Sequence, residues 1–382
     1  MIPLMPAFFV CKYDIIRFRC DEPSSYNCSV RVALDGTPLT VSSGGTRRYT
    51  VELVRALAEA FPEDVFRLMS DRQFEAPLNS EPRALASDFG LDRYWWLFGL
   101  SRQLRRERID VFHGTNFEVP LLPLRPSVLT VLDLSPWKNA AWHHAADRVR
   151  RRTPLLIHLR IPTIILTISE AIRKEAIDFF RLPPRAIVAV PLAAANSMRP
   201  VETRAGIEPY FLYAGTLEPR KNIPTLVEAW RLVKKVHPAR LVLAGRMRAD
   251  FVEPAPEPGL EFLGEVPDSD LPRLYSECVA CVYPSLYEGF GLPVLEAMQC
   301  GAPVLTSRDA AITEVAGGAA LQMDARDVQS WKESMLAVIQ NHDLSGRLRT
   351  QSLRRAHEFS WERTARLTHD VYEEALRRFE SD

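Results

Sequence analysis

Short apolar runs alternate along most of the chain with glycine- and proline-marked loops, and helical apolar faces follow the loops. Val279-Ala280-Cys281-Val282-Tyr283 is a continuous apolar run of strand length. Pro284 stops it, because proline cannot donate a ladder hydrogen bond. Gly289 and Gly291 occupy the loop that follows, where backbone angles closed to other residues are open to them. Pro293 suits a first helical turn, Val294, Leu295, Ala297 and Met298 carry a helix on, and Gly301 ends it. Pro303 to Thr306 is the next strand, so the unit is strand, glycine loop, helix, strand.

The pattern recurs. Val30 to Asp35 alternates as a strand, Gly36 to Gly45 is a loop ending Ser42-Ser43-Gly44-Gly45, and a helix from Thr46 presents Tyr49, Leu53 and Leu57 on one face. Phe211 to Gly215 leads through Thr216 to Asn222 into another helix, with Asn222 as expected N-cap. Runs at 111–114, 128–133, 163–169, 187–191, 240–245 and 260–264 are further strands, and Ser169 is the expected cap of a helix through Phe180. Strands alternating with helices predict an α/β fold with parallel sheets. A chain of 382 residues exceeds one typical core. Polar, proline-flanked 199–209 is the expected linker between domains at 30–198 and 210–355, followed by a helical segment at 356–382. Residues 1–29 are an extension; no basic segment precedes apolar Ile2 to Val10, which argues against a signal peptide.

Composition excludes more than it selects. Lys+Arg and Asp+Glu both number 48, so no global field favours a charged partner. No apolar run reaches the ~18 to 20 residues of a membrane span. The six cysteines (Cys11, Cys20, Cys28, Cys278, Cys281 and Cys300) are too sparse for a disulfide scaffold and imply reduced, cytoplasmic thiols. Cys278 and Cys281 have C-x-x-C spacing but enter an apolar strand without a second pair, which disfavours a metal. Tyr94 to Arg108 is a core helix with a solvated arginine end or, alternatively, a basic face for a membrane; Arg148 to Arg152 is a second such surface. Neither interleaves arginines with stacking aromatics, so nucleic acid is a poor fit.

The candidate chemistry lies at strand ends. Glu288, on the loop, and Glu296, eight residues on in the first helical turns, both face the crevice where open α/β sheets bind ligands. Carboxylates there would repel phosphate and suit sugar hydroxyls; a solvated Glu288 and a plain helix-start Glu296 are the alternative. Arg220 and Lys221 at a helix start can hold phosphate, or else be a solvated pair. Gly44-Gly45 offers backbone N–H groups to an anion, or is only a flexible loop. His113 and Asp133 end two strands, and a structural place is the alternative for His113. Asp268-Ser-Asp270 has D-x-D spacing, but it immediately precedes a helix, so N-capping is the better account. His143-His144 lacks a third ligand at metal spacing.

Glu288-Gly289-Phe290-Gly291-Leu292-Pro293 through Glu296 resembles the E-x7-E signature of retaining GT-B glycosyltransferases of family 4. The resemblance implies two facing Rossmann-like domains and a C-terminal helix crossing back to the first. It implies that Glu296 binds the nucleotide ribose and that Glu288 lies against the donor sugar, with Gly289, Phe290, Gly291 and Leu292 beside the donor. Gly215-Thr216-Leu-Glu-Pro-Arg220-Lys221-Asn222 resembles the family's diphosphate loop, although many members have arginine at Thr216. Gly44-Gly45-Thr-Arg-Arg-Tyr49 resembles its opposite glycine loop, and Glu265-Val266-Pro267 the segment beside the base. Leu132 stands where the family has a histidine, a place for which His113 is a substitute. The implied reaction moves a hexose from a nucleotide-diphosphate sugar, GDP-mannose being favoured, to a hydroxyl of a glycan, lipid-linked or small-molecule acceptor. It proceeds with retention and without metal or other cofactor. Catalytic candidates are Glu288, Asp133, Arg220 and Lys221, with His113 and Asp133 on the acceptor side. The expected place is the cytoplasm, with peripheral contact at the inner face of the plasma membrane left open. A sugar-nucleotide epimerase and a non-catalytic sugar-nucleotide binder are the rival readings.

Overall fold

The computed structural model describes residues 29–41, 44–74, 94–142, 146–204 and 206–381. The extension up to residue 28 with Cys11, Cys20 and Cys28, the pair Ser42-Ser43, and His143-His144 lie outside the described residues. Among the described residues, twelve strands form two sheets. The first contains β1 (Arg31–Asp35), β2 (Val65–Met69), β3 (Val111–Gly114), β4 (Ser127–Val131), β5 (Ile164–Thr167) and β6 (Ile187–Ala189), in the order β2-β1-β3-β4-β5-β6. The second contains β7 (Tyr210–Ala214), β8 (Arg240–Ala244), β9 (Leu260–Gly264), β10 (Ala280–Tyr283), β11 (Val304–Ser307) and β12 (Leu321–Met323), in the order β12-β11-β10-β7-β8-β9. Every pairing is parallel. Helices must therefore carry each crossover and cover the faces, which is why β4, β7, β10 and β11 are buried along their whole length.

The sequence pattern places the elements well and the caps less well. Ser169 accepts the N–H of Ile172 at 3.2 Å and caps helix Glu170–Phe180. Asn222 stands at the start of helix Ile223–Lys234, but its left-handed backbone (φ 55°) leaves it without a capping bond. Its side chain instead donates to the carbonyls of Pro284 and Ala325 at 3.2 and 2.5 Å, tying two loops to the helix start. Asp270 likewise makes no capping bond, because its backbone is already helical. Asp268 does not cap either; it reaches Arg48 across the cleft at 2.5 Å.

The basic segments are mostly accounted for by packing. Trp95, Trp96, Leu100 and Leu104 are buried while Arg102, Arg105 and Arg106 are exposed, the arrangement of a core helix with a solvated end. In helix Asp147–His158, Arg148 grips Glu118 with two bonds of 2.6 and 2.8 Å, and Arg150 holds Asp147 and the carbonyl of Pro136. No helix of the described residues is long and apolar enough to cross a membrane.

Residues 190–209 carry the chain to the second sheet without helix or strand among those described. The last helix, Trp361–Ser381, returns to the first lobe and packs on helix Gly45–Ala60, β3 and β4. It buries Trp361, Thr364, Ala365, Thr368, Val371, Tyr372 and Ala375 at three- and four-residue steps, one helical face. His369 stacks on Phe61 at 3.8 Å and bonds Asp64 at 2.8 Å.

Candidate active site

In each sheet the crossovers change direction at one point, and there the loops at the strands' carboxyl ends part to form a crevice. In the second sheet this point lies between β7 and β10. The loop after β7 holds Gly215, Thr216, Arg220 and Lys221, and the loop after β10 holds Glu288 to Gly291. In the first sheet it lies between β1 and β3, and the chain after β1 leads to Gly44 and Gly45. The two crevices face each other and form one cleft of about 650 Å³. All the predicted donor residues line it: Gly44, Gly45, Gly215, Thr216, Arg220, Lys221, Val266, Glu288, Gly289, Phe290, Gly291, Leu292 and Glu296, with Leu132 and Asp133 from the facing lobe.

Two glycine positions have steric reasons. A Cβ on Gly289 would lie 2.3 Å from the carbonyl oxygen of Leu132, so only glycine lets the lobes meet beside Glu288. Gly44 has φ 129°, and no atom lies within 4 Å of a Cβ added to it or to Gly45, so both backbones are bare toward the cleft.

The cations are held by carboxylates. Lys221 is buried, donates to the hydroxyl of Tyr283 at 2.9 Å, and pairs with Glu288. Glu288 also accepts the hydroxyl of Ser285 at 2.6 Å and faces Arg220 at 3.4 Å. Burial by itself raises the Glu288 carboxyl, but Lys221 and Arg220 outweigh it and hold the group below the usual glutamate value. Glu288 is therefore ionised at neutral pH. Burial pulls the Lys221 ammonium down, and Glu288 opposes that only in part. Arg220 also bonds Glu218 at 2.9 Å and the carbonyl of Tyr287 at 3.1 Å, and lies 3.7 Å from Asp133. Asp133 turns its other oxygen to the backbone and hydroxyl of Ser135 at 2.9 and 2.6 Å. Glu296 pairs with Arg48 and faces the hydroxyl of Tyr275 at 3.4 Å; burial raises its pKa against the pull of Arg48.

One predicted site residue does not reach the cleft. His113 is fully buried, with Nδ1 2.8 Å from the Tyr372 hydroxyl and Nε2 2.7 Å from the Thr130 hydroxyl. Burial pushes its pKa down to about 3, so it stays neutral. It joins the first sheet to the returning helix and does not line the cleft. The reason is topological: β3 ends beneath helix Trp361–Ser381, which no local pattern around residue 113 discloses.

Four further residues enter the site that local reading passed over. Arg48 crosses from the first lobe to Glu296 and Asp268. Glu218 bridges Arg220 and Arg248, the latter at 2.7 Å. Tyr287 accepts the N–H of Leu134 at 2.9 Å and donates to Glu175 at 2.7 Å, spanning the lobes. Arg48 and Glu218 lie inside motifs the sequence already marks, which is the signal that could have found them. Tyr287 directly precedes Glu288 of the marked loop, and Arg248 carries no such signal.

Two facing, wholly parallel six-stranded lobes with a cation-lined cleft and a returning C-terminal helix define a GT-B glycosyltransferase. The family model of Glycosyl transferases group 1 matches residues 196–355, and that of Glycosyltransferase Family 4 matches residues 43–194. The chain is 33% identical over 372 residues to O-antigen chain mannosyltransferase B of Escherichia coli, covering 88% of this chain and 97% of that one. It is 28% identical over 236 residues to the serotype-specific mannosyltransferase WbdA of Escherichia coli, covering 56% of this chain and 29% of that one. Among solved structures, HepE from Anabaena in complex with UDP and glucose superposes with a TM-score of 0.70 at 16% identity, over 90% of this chain and 100% of that one. Sucrose-phosphate synthase from Thermosynechococcus elongatus gives 0.67 at 18%, over 92% and 100%. The chain belongs to the group 1 glycosyltransferases and is a hexosyltransferase.

Proposed function

We propose that the protein transfers a mannosyl unit from GDP-mannose to a hydroxyl of a growing polysaccharide chain, with retention and on side-chain cations alone. One observation carries the donor half: Arg220 and Lys221 converge on Glu288 in the same cleft that the bare Gly44-Gly45 backbone lines. Preorganised donors aimed at a leaving diphosphate stabilise the charge that gathers there as the glycosidic bond breaks. The sugar and the acceptor class rest on relatives named as O-antigen mannosyltransferases. We infer for such an acceptor an enzyme that works in the cytoplasm, at the inner face of the membrane.

Neither Glu288 nor Asp133 stands free as a nucleophile. Glu288 is engaged by Lys221, Ser285 and Arg220, and Asp133 by Ser135. We therefore assign same-face attack. The bond from C1 to the diphosphate oxygen breaks, the acceptor oxygen bonds C1 from that face, and its proton passes to the departing phosphate oxygen. Glu288 keeps the two cations in place and accepts hydroxyls of the donor sugar. Asp268, the first acid of the D-x-D spacing, pairs with Arg48 across the cleft.

Thermal shifts against a panel of nucleotide sugars test the donor, since a ligand at 100 times its dissociation constant stabilises by about 2.7 kcal/mol. GDP-mannose is expected to give the largest shift, and transfer with a chelator present is expected to yield an α-linked product by NMR. A larger shift with a uridine sugar, loss of transfer on chelation, or a β-linked product would each overturn that part of the reading.

A further inference from the structure

Among the described residues, Arg48 is the one cation lining the cleft that comes from the first lobe. It sits one turn into helix Gly45–Ala60, its N–H bonded to the carbonyl of Gly44 at 3.0 Å, so its side chain leaves the helix beside the bare glycines. The guanidinium crosses to the second lobe and pairs with two acids there. One, Asp268, has a side chain 67% exposed, and its hold is weak. The other, Glu296, is buried, and it is the carboxylate to which the donor ribose is assigned above. Arg220, Lys221 and Arg248, by contrast, are each held by an acid of their own lobe, Glu218 or Glu288. The ribose carboxylate is thus paired with a cation of the opposite lobe. A ribose that takes Glu296 sets that cation free next to the diphosphate.

We propose that Arg48 is an exchange residue: it pairs with Glu296 across the cleft and, when the donor's ribose takes that carboxylate, moves to the diphosphate and draws the first lobe onto it. The inference rests on the donor reading above. It predicts that Arg48 favours a nucleoside diphosphate and opposes a nucleoside, whose ribose must displace it from Glu296 with no diphosphate to take it up.

The test is calorimetric titration of the full chain with GDP and with guanosine, read as the ratio of their affinities, with thermal melts confirming that each variant is folded. Arg48→Gln should lower the ratio about tenfold or more, the loss of one charged hydrogen bond. Asp268→Asn, an exposed change that loosens the competing hold, should raise it about twofold to fivefold. An Arg48→Gln ratio within about twofold of wild type, or an Asp268→Asn ratio at or below wild type, overturns the exchange. Wild-type protein that binds neither ligand overturns the donor reading instead, which separates the two failures.

Discussion

The carboxylate of Glu314, in the second lobe, accepts the backbone N–H of Ala171, in the first, at 2.8 Å. Its other oxygen accepts that of Glu170 at 2.9 Å. Helix Glu170–Phe180 is thus capped twice, by its own Ser169 and by a residue 143 positions away across the cleft. A helix start leaves N–H groups unpaired and carries partial positive charge, so a carboxylate there stabilises it. Glu314→Ala should cost about 1 kcal/mol in denaturant unfolding. It should also raise the donor KM more than it lowers kcat, because the bond forms only when the lobes meet. Equilibrium denaturation and steady-state kinetics check both.

Lys221 and Glu288 form a buried pair, and removing one member leaves a charge without its partner. Lys221→Met should destabilise by about 3 kcal/mol. The double variant Lys221→Met, Glu288→Gln should recover much of that loss while remaining inactive. A double-mutant cycle in urea, with transfer assays alongside, separates stability from catalysis.

Gly289→Ala puts a methyl group 2.3 Å from the carbonyl of Leu132, inside the 3.0 Å that Cβ atoms essentially never breach. The lobes must part beside Glu288. Transfer should fall about a hundredfold, the usual consequence of an ångström-scale misplacement. Guanosine, assigned above to Val266 and Glu296 of the second lobe, should bind as before.

Burial raises the carboxyl of Asp35 from 3.8 to about 7, with smaller contributions from Glu118 and Asp71, although Thr37 bonds to it. A carboxyl whose pKa rises on folding contributes stability that is complete below its unfolded value and is lost as pH climbs through the folded one. Asp35→Asn keeps the oxygen that accepts the Thr37 N–H at 2.9 Å and removes the ionisation. The variant's advantage over wild type should open between pH 3.8 and about 7 and stay level above that. Urea unfolding at a series of pH values measures the gap.

Much of this was legible in the chain because the signals are local. A continuous apolar run bounded by proline or glycine is a buried strand in any context, and β10, β7 and β4 lie where such runs do. Glu288, Glu296, Arg220 and Lys221 were visible because a loop after a strand opens at one end of the sheet, whatever the rest of the molecule does. The caps at Asn222 and Asp270 were misread for a similar reason: position before a helix was visible, and the backbone angles that decide whether a side chain can reach back were not.

From sequence alone came the element order, the two lobes' parallel sheets and the side chains offered to the crevice, since each depends on residues within a few positions of one another. Tertiary structure alone decided what those side chains meet. Arg48 finds Glu296 across 248 positions, Tyr287 finds Glu175 across 112, and His113 is withdrawn from the cleft by Tyr372 across 259. Ion pairs and hydrogen bonds act over a few ångströms of space with no regard to distance along the chain, so only the folded arrangement of the lobes could set them.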